Sequence, residues 1–161
     1  MHDSPHPTLD EIQAILADLA QRVVADSEPT LDLDVRDEIL NVTEELERFI
    51  PGLDPPPDAN AAKKMTSATA AALARGRPRV ALSRALRGLS YSPHHPELYY
   101  LASSACFELA AATEAVRLLA HTLWINPGHD KAREEMKALA AGDGWLPDEA
   151  SGDESEGERA A

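Results

Sequence analysis

Cysteine, aromatic residues and long apolar runs are scarce in this chain, and each scarcity excludes a class of protein. Cys106 is the one cysteine among 161 residues, so no disulfide can form within the chain and a reducing compartment is favoured. No stretch approaches the ~20 apolar residues of a membrane-spanning helix, and no basic run followed by an apolar segment marks a secretion signal. We therefore expect a cytoplasmic protein without a membrane span, in which Cys106 is a small core residue.

Motifs of catalysis are missing as well. The chain has no glycine-rich phosphate loop, no nucleophile elbow and no HExxH sequence. Glu44 and Glu45, like Glu134 and Glu135, are neighbours that project in different directions from a helix, so we interpret them as solvated faces rather than acid–base pairs. The sequence predicts neither an enzyme nor a bound cofactor.

Charge is abundant and unevenly distributed. The net charge is −13, and it is divided into −12 for residues 1–60, +7 for residues 61–96 and −8 for residues 97–161. The basic side chains of the middle block are Lys63, Lys64, Arg75, Arg77, Arg79, Arg84 and Arg87. Such asymmetry affects association more than fold, so we expect this basic patch to steer acidic residues of a partner.

A period of 34 residues links two segments in the centre of the chain. It carries Pro93 onto Pro127, and it carries small, apolar and histidine positions onto residues of similar kind. The further pairs are Met65 and Tyr99, Leu73 and Phe107, Ala81 and Ala115, Leu82 and Val116, Leu89 and Leu123, Tyr91 and Ile125, and His95 and His129. A repeat of this size predicts stacked helix-turn-helix units and therefore a binding scaffold.

This period and pattern resemble the tetratricopeptide repeat (TPR) family. One unit covers about Ala62 to His95, and a better-matching second unit covers about Pro96 to His129. The resemblance implies an all-α, short helical-repeat solenoid, in which each unit is a pair of antiparallel helices closed by a proline. A third helix, roughly Asp130 to Ala141, would be the polar cap that such stacks need.

The flanks of the repeats predict a helical hairpin, a linker and a tail. Thr8 and Glu11 form a capping box for the first helix, and Asp34 is the expected cap of a second helix that runs to about Ile50. The chain then divides into an acidic N-terminal hairpin at 1–50, a Pro-rich linker at 51–60, the repeats with their cap at 61–141, and a disordered acidic tail at 142–161. The hairpin could dock on the repeats, hang beside them, cover their groove or be a degenerate repeat.

The TPR resemblance also implies a binding groove, because the first helix of each unit lines the concave face in that family. The lining positions here are Thr66, Ala70, Leu73, Tyr100, Leu101, Ser104, Phe107 and Lys131. An aromatic pair with leucines and small polar residues suits an apolar anchor on a partner peptide or helix. In the competing interpretation, Tyr100, Leu101 and Phe107 pack on the hairpin or the capping helix. A carboxylate clamp is not expected, since only Lys131 matches it and Glu135 would repel the ligand.

Nucleic acid and metal ions are weaker candidates for a ligand. Residues 75–79 resemble an AT-hook core, but they fall on a turn, and a chain with a net charge of −13 is repelled from phosphates. Equivalent histidines on successive repeats lie roughly 10 Å apart, too far for shared coordination. We therefore predict no nucleic-acid partner and no metal site, with solvated histidines at His94, His95, His121 and His129.

The sequence as a whole predicts a small TPR-type adaptor that binds a segment of a protein or peptide partner in its concave groove. The alternative is a secretion-type chaperone that holds a client protein. The small acidic TPR chaperones of bacterial type III secretion systems are similar in size and charge, although they usually have three units. Self-association into a homo-oligomer through the ends of the stack stays open.

Overall fold

All regular structure in the described part of the chain is helical. The computed structural model describes residues 6–52 and 59–141, so most of the predicted linker and the whole predicted tail lie outside the described residues. The helices are α1 (Leu9–Ala25), α2 (Leu33–Leu46), α3 (Ala59–Ala74), α4 (Pro78–Tyr91), α5 (Pro96–Glu108), α6 (Ala112–Ile125) and α7 (Asp130–Ala140), with a short 3-10 turn at Ile50–Gly52. The prediction of an all-α protein is confirmed.

Local sequence signals set several helix ends. The Glu11 amide donates to Thr8 Oγ1 at 3.1 Å, and the Thr8 amide donates to the Glu11 carboxylate at 2.9 Å, which is the predicted capping box. Pro78 and Pro96 open α4 and α5, where a missing N–H costs nothing. The prediction for Asp34 was wrong: α2 begins at Leu33 after the N-cap Asp32, and Asp34 lies in the first turn.

The helices form three layers. Successive helices pack on each other from α3 to α6, while α1 packs along α4, α2 contacts α6, and α7 contacts α6. The helices α4 and α6 are therefore a middle layer between the hairpin on one side and α3 and α5 on the other. The hairpin docks on α4 and α6, so it neither hangs beside the other helices nor lies across α3 and α5.

One apolar core joins the hairpin to the other helices. Its largest fully buried side chains are Ile12, Leu16, Leu19, Ile39, Leu46, Leu82, Leu86, Leu89, Leu98, Tyr99, Leu118 and Leu119. Within it the Ser83 hydroxyl of α4 donates to the Ala20 carbonyl of α1 at 2.7 Å. Val24, which the periodicity of α1 places on the inner face, is 48% exposed because it lies at the edge of this contact.

Three helices approach one another closely at Gly88. A Cβ atom at Gly88 would lie 2.8 Å from Leu98 Cδ1 and 2.9 Å from Met65 Cβ, so Met65 of α3 and Leu98 of α5 lie at the same level on α4. Because α3 and α5 both run antiparallel to α4, they are parallel to each other. Leu73 and Phe107 therefore lie at the same end of the molecule.

Candidate functional site on α3, α5 and α7

The eight predicted partner-binding residues lie on three helices of one layer. They are Thr66, Ala70 and Leu73 on α3, Tyr100, Leu101, Ser104 and Phe107 on α5, and Lys131 on α7. We call these eight residues the outer face. Ala70 and Lys131 are exposed, and the others are partly buried apart from Leu101, which is 8% exposed. Leu101 therefore contributes mainly to packing.

Tyr100 connects α5 to α7. Its hydroxyl donates to Glu135 Oε2 at 3.3 Å, and its ring centroid lies 4.8 Å from that of His129. Burial, together with the Glu135 carboxylate, raises the pKa of the Tyr100 phenol to about 12. Tyr100 thus contacts α7, and Glu135 has a structural partner although the sequence suggested a solvated face.

His129 organises the start of α7. Its Nδ1 accepts a hydrogen bond from the Ala132 amide at 3.1 Å, and its Nε2 lies 2.8 Å from Glu97 Oε1. The prediction of a solvated histidine was wrong at this position, because the side chain is 11% exposed. In the described ranges, no three His, Cys, Asp or Glu side chains are grouped so that they could hold a metal ion.

His121 is buried where α2 meets α6. It is 2% exposed, its ring stacks on Tyr99 with centroids 5.3 Å apart, and its Nε2 lies 3.2 Å from the Thr43 carbonyl. The prediction of a solvated side chain was wrong here too. The available signal was spacing: Glu114, Leu118 and His121 follow each other at intervals of four and three, which is one face of a helix.

Glu114 is the second buried polar group on that face of α6. It is 3% exposed, and its Oε1 accepts from Arg36 Nε at 3.1 Å, with Arg36 Nη2 at 3.0 Å. A buried carboxylate without a partner is costly, so Arg36 holds α2 to α6. The hairpin supplies the cation of this pair, whereas in the contact with the basic patch it supplies a carboxylate, since Asp26 Oδ2 lies 3.8 Å from Arg79 Nη2.

The basic patch consists of one partly buried arginine and six more accessible cations. Arg79 donates to the carbonyls of Val23 at 2.9 Å, Glu28 at 2.7 Å and Thr30 at 2.6 Å, and its side chain is 12% exposed. It therefore belongs to the contact with the hairpin. The other six are Lys63, Lys64, Arg75, Arg77, Arg84 and Arg87, and none of them forms an ion pair with another residue of the described part.

Cys106 is fully buried on α5, which confirms its prediction as a core residue. Burial raises the pKa of the Cys106 thiol, because the thiolate would lose its hydration there. The thiol is therefore held in its unreactive form while the helices stay packed.

Two surface depressions lie along the seams between the layers rather than on the outer face. One of about 630 Å³ between α1, α3 and α4 is lined by Val24, Met65, Ala68, Val80, Ser83, Arg84 and Arg87. Another of about 470 Å³ is lined by Glu47, Arg117, Ala120, His121 and Trp124. Each lies along a seam between layers, so each depends on the hairpin or on α3 staying in place.

No protein-family model, curated protein or solved structure matches this chain. None of the helices in the described ranges combines the length and the apolar character that crossing a bilayer requires.

Proposed function

We propose that this protein is a small TPR-type adaptor whose outer face binds a segment of a partner protein. The turns at the ends of its helices carry the proposal, because their hydrogen bonds recur after 34 residues. The Arg77 amide donates to the Ala72 carbonyl at 2.9 Å, and the Ala111 amide donates to the Cys106 carbonyl at 2.8 Å. The left-handed residues of the same two turns are Gly76, with φ of 72°, and Ala110, with φ of 61°.

The turns that follow α4 and α6 support the same period. The Ser92 amide donates to the Gly88 carbonyl at 2.9 Å, and the Asn126 amide donates to the Thr122 carbonyl at 2.8 Å. Equivalent helices also begin 34 residues apart, α4 with α6 and α5 with α7. A stack of two units and a capping helix is the arrangement that accounts for these coincidences with the fewest assumptions.

The layers favour α3, α5 and α7 as the binding side of this stack. The hairpin already covers α4 and α6, so an incoming segment would meet the outer face instead. Small side chains at Ala70 and Ser104 leave room between α3 and α5, while Leu73 and Phe107 offer apolar surface at one end. An apolar side chain of the partner would lie at that end, with Lys131 at the opposite end of α7.

A quantitative capture experiment tests this function. The intact protein is compared, in lysate of the source organism, with Ala70→Arg on the outer face and with Ala14→Arg as a matched control, because Ala14 is exposed on α1. Circular dichroism first shows that all three are folded. We expect a partner that the intact protein and Ala14→Arg capture and that Ala70→Arg loses.

Equal capture by all three proteins would move the binding surface away from α3 and α5. A captured partner that is itself an exported protein would favour the chaperone alternative over the adaptor.

A further inference from the structure

The described chain ends at Ala141, close to the end of α5 that carries Phe107. The contact of His129 with Glu97, and that of Glu135 with Tyr100, show that α5 and α7 run in the same direction. Both helices advance about 1.5 Å per residue. Ala141, the last described residue and six after Glu135, therefore comes level with Cys106, six after Tyr100, and so lies near the Phe107 end of α5.

The segment that starts there combines one apolar pair with a high negative charge. Residues 142–161 contain Trp145 and Leu146 as their only large apolar side chains, and they hold seven acidic and one basic side chain, a net charge of −6. Four residues of extended chain span at most about 14 Å, and packed helix axes lie about 8–10 Å apart. Trp145 is thus within reach of α5, and Asp148 and Glu149 are within reach of α3.

At the end of the outer face that carries Leu73 and Phe107, apolar and charged residues follow each other in an order that complements the segment. Starting from Ala141, the surface presents Phe107 on α5, then Leu73 on α3, and then Arg75 and Arg77 on the turn that follows α3. Phe107 and Leu73 are partly buried, whereas both arginines are exposed and form no ion pair within the described ranges. Apolar residues followed by cations on the face therefore match apolar residues followed by carboxylates in the segment.

We propose that residues 142–161 bind the outer face of their own molecule, with Trp145 on Phe107 and the following carboxylates near Arg75 and Arg77. The apolar contact contributes most of the affinity, since exposed ion pairs contribute little each. The short connection gives the segment an effective concentration on the order of millimolar. This inference rests on the proposed function because it makes the segment a competitor for the partner's site. If the segment is bound nine-tenths of the time, its removal raises partner affinity about tenfold.

Tryptophan fluorescence tests the contact without any partner. In the full chain with Trp124→Phe, Trp145 is the remaining tryptophan. We expect a blue-shifted emission and several-fold weaker acrylamide quenching than in the urea-unfolded chain. Adding Phe107→Ala should restore the solvent-exposed signal. Phe49→Ala is the matched control, since Phe49 is a partly buried phenylalanine on the hairpin, and it should leave the signal unchanged.

Arg75→Glu with Arg77→Glu is a second variant that changes only exposed side chains, and it should increase quenching of Trp145 even if Phe107→Ala does not fold.

A solvent-exposed Trp145 in the folded chain would overturn the proposal. A shielded Trp145 whose quenching is the same in both variants would also overturn it, because the segment would then lie on another surface. A signal that depends on protein concentration would assign the contact to a second copy and overturn the intramolecular form. None of these results decides the capture experiment, so the two proposals fail separately.

Discussion

The packing of α3, α4 and α5 depends directly on the absence of a side chain at Gly88. Alanine in a helix is normally favoured over glycine by about 0.5–1 kcal/mol. At Gly88, however, the added Cβ would lie 2.9 Å from Met65 Cβ, which cannot rotate away without moving the α3 backbone. We expect Gly88→Ala to lower the free energy of unfolding by about 1–3 kcal/mol in urea titrations.

The control for Gly88→Ala is Gly128→Ala, because the nearest atom to a Cβ there is Asn126 Oδ1 at 3.5 Å. Gly128→Ala should leave the stability almost unchanged. A Gly88→Ala protein as stable as the parent would show that α3 and α5 shift easily on α4.

Arg79 is a second residue whose substitution should destabilise a contact between helices, because it joins α4 to the hairpin. It satisfies the Val23 carbonyl in the last turn of α1, where the helix dipole favours a cation, and the Glu28 and Thr30 carbonyls in the loop that follows. Hydrogen bonds to charged groups contribute about 1.5–3 kcal/mol, so we expect Arg79→Ala to cost at least that much in urea unfolding. Arg79→Lys should lose less of the free energy of unfolding than Arg79→Ala but should still be less stable than the parent, since lysine lacks the planar fork of donors.

Arg84→Ala is the matched control for Arg79→Ala, because exposed Arg84 has one long contact of 3.5 Å with the Ala68 carbonyl. Its effect should stay within about 0.5 kcal/mol. Equal losses in the two variants would argue that the charge of the basic patch matters rather than the contacts of Arg79.

At the scale of whole elements, the docking of α7 can be followed through the Tyr100 phenol. Its pKa in the folded protein is raised to about 12, above the ordinary value of about 10. The neutral phenol is therefore favoured by folding. Its contribution to stability is fully present below pH ~10 and is lost as the pH rises through about 12. We expect the phenolate absorbance of the parent minus that of Tyr100→Phe to show a step near the higher value.

Glu135→Gln serves as the companion variant in this titration. Glu135→Gln should lower the pKa of the Tyr100 phenol only part of the way toward its ordinary value, since burial is the larger cause of the pKa shift. A parent step near pH 10 would mean that the hydroxyl faces water and that α7 is not held at Glu135.

The elements themselves were largely predictable from the sequence, but their contacts were not. The capping box at Thr8 and the prolines at Pro78 and Pro96 act within a few residues of the chain, so local sequence contains their signal. His121 and Glu114 depend on Thr43 and Arg36, each 78 residues away, and a single sequence does not say which cation meets which carboxylate. The predicted outer-face residues lie on α3, α5 and α7, but the structural role of Tyr100 follows from where α7 lies, which its own neighbours in sequence do not specify.

For the molecule as a whole, the continuous core predicts cooperative unfolding of the hairpin with α3 to α6. In a Trp145→Phe background, Trp124 reports the α2–α6 contact through His121, whose ring centroid is 5.8 Å away. Cys106, buried on α5, reports the opposite layer by its reactivity with a thiol reagent. We expect both signals and the circular dichroism to change at one urea concentration.

Separate midpoints would contradict this expectation. A lower urea midpoint for the Trp124 signal than for the Cys106 signal would mean that the hairpin unfolds before the other helices and is an independent unit.

The layering also sets the order in which the chain can bury its surfaces as it is made. α1 leaves the ribosome first, yet Ser83, which hydrogen-bonds to Ala20, follows it by 63 residues. At roughly 5–20 residues per second, that separation is a wait of roughly 3–13 seconds. During that time the apolar stripe of α1, which includes Leu16 and Leu19, has only α2 to cover it. The nascent chain is thus most vulnerable to aggregation at α1, and a pause in translation before α4 would lengthen that exposure.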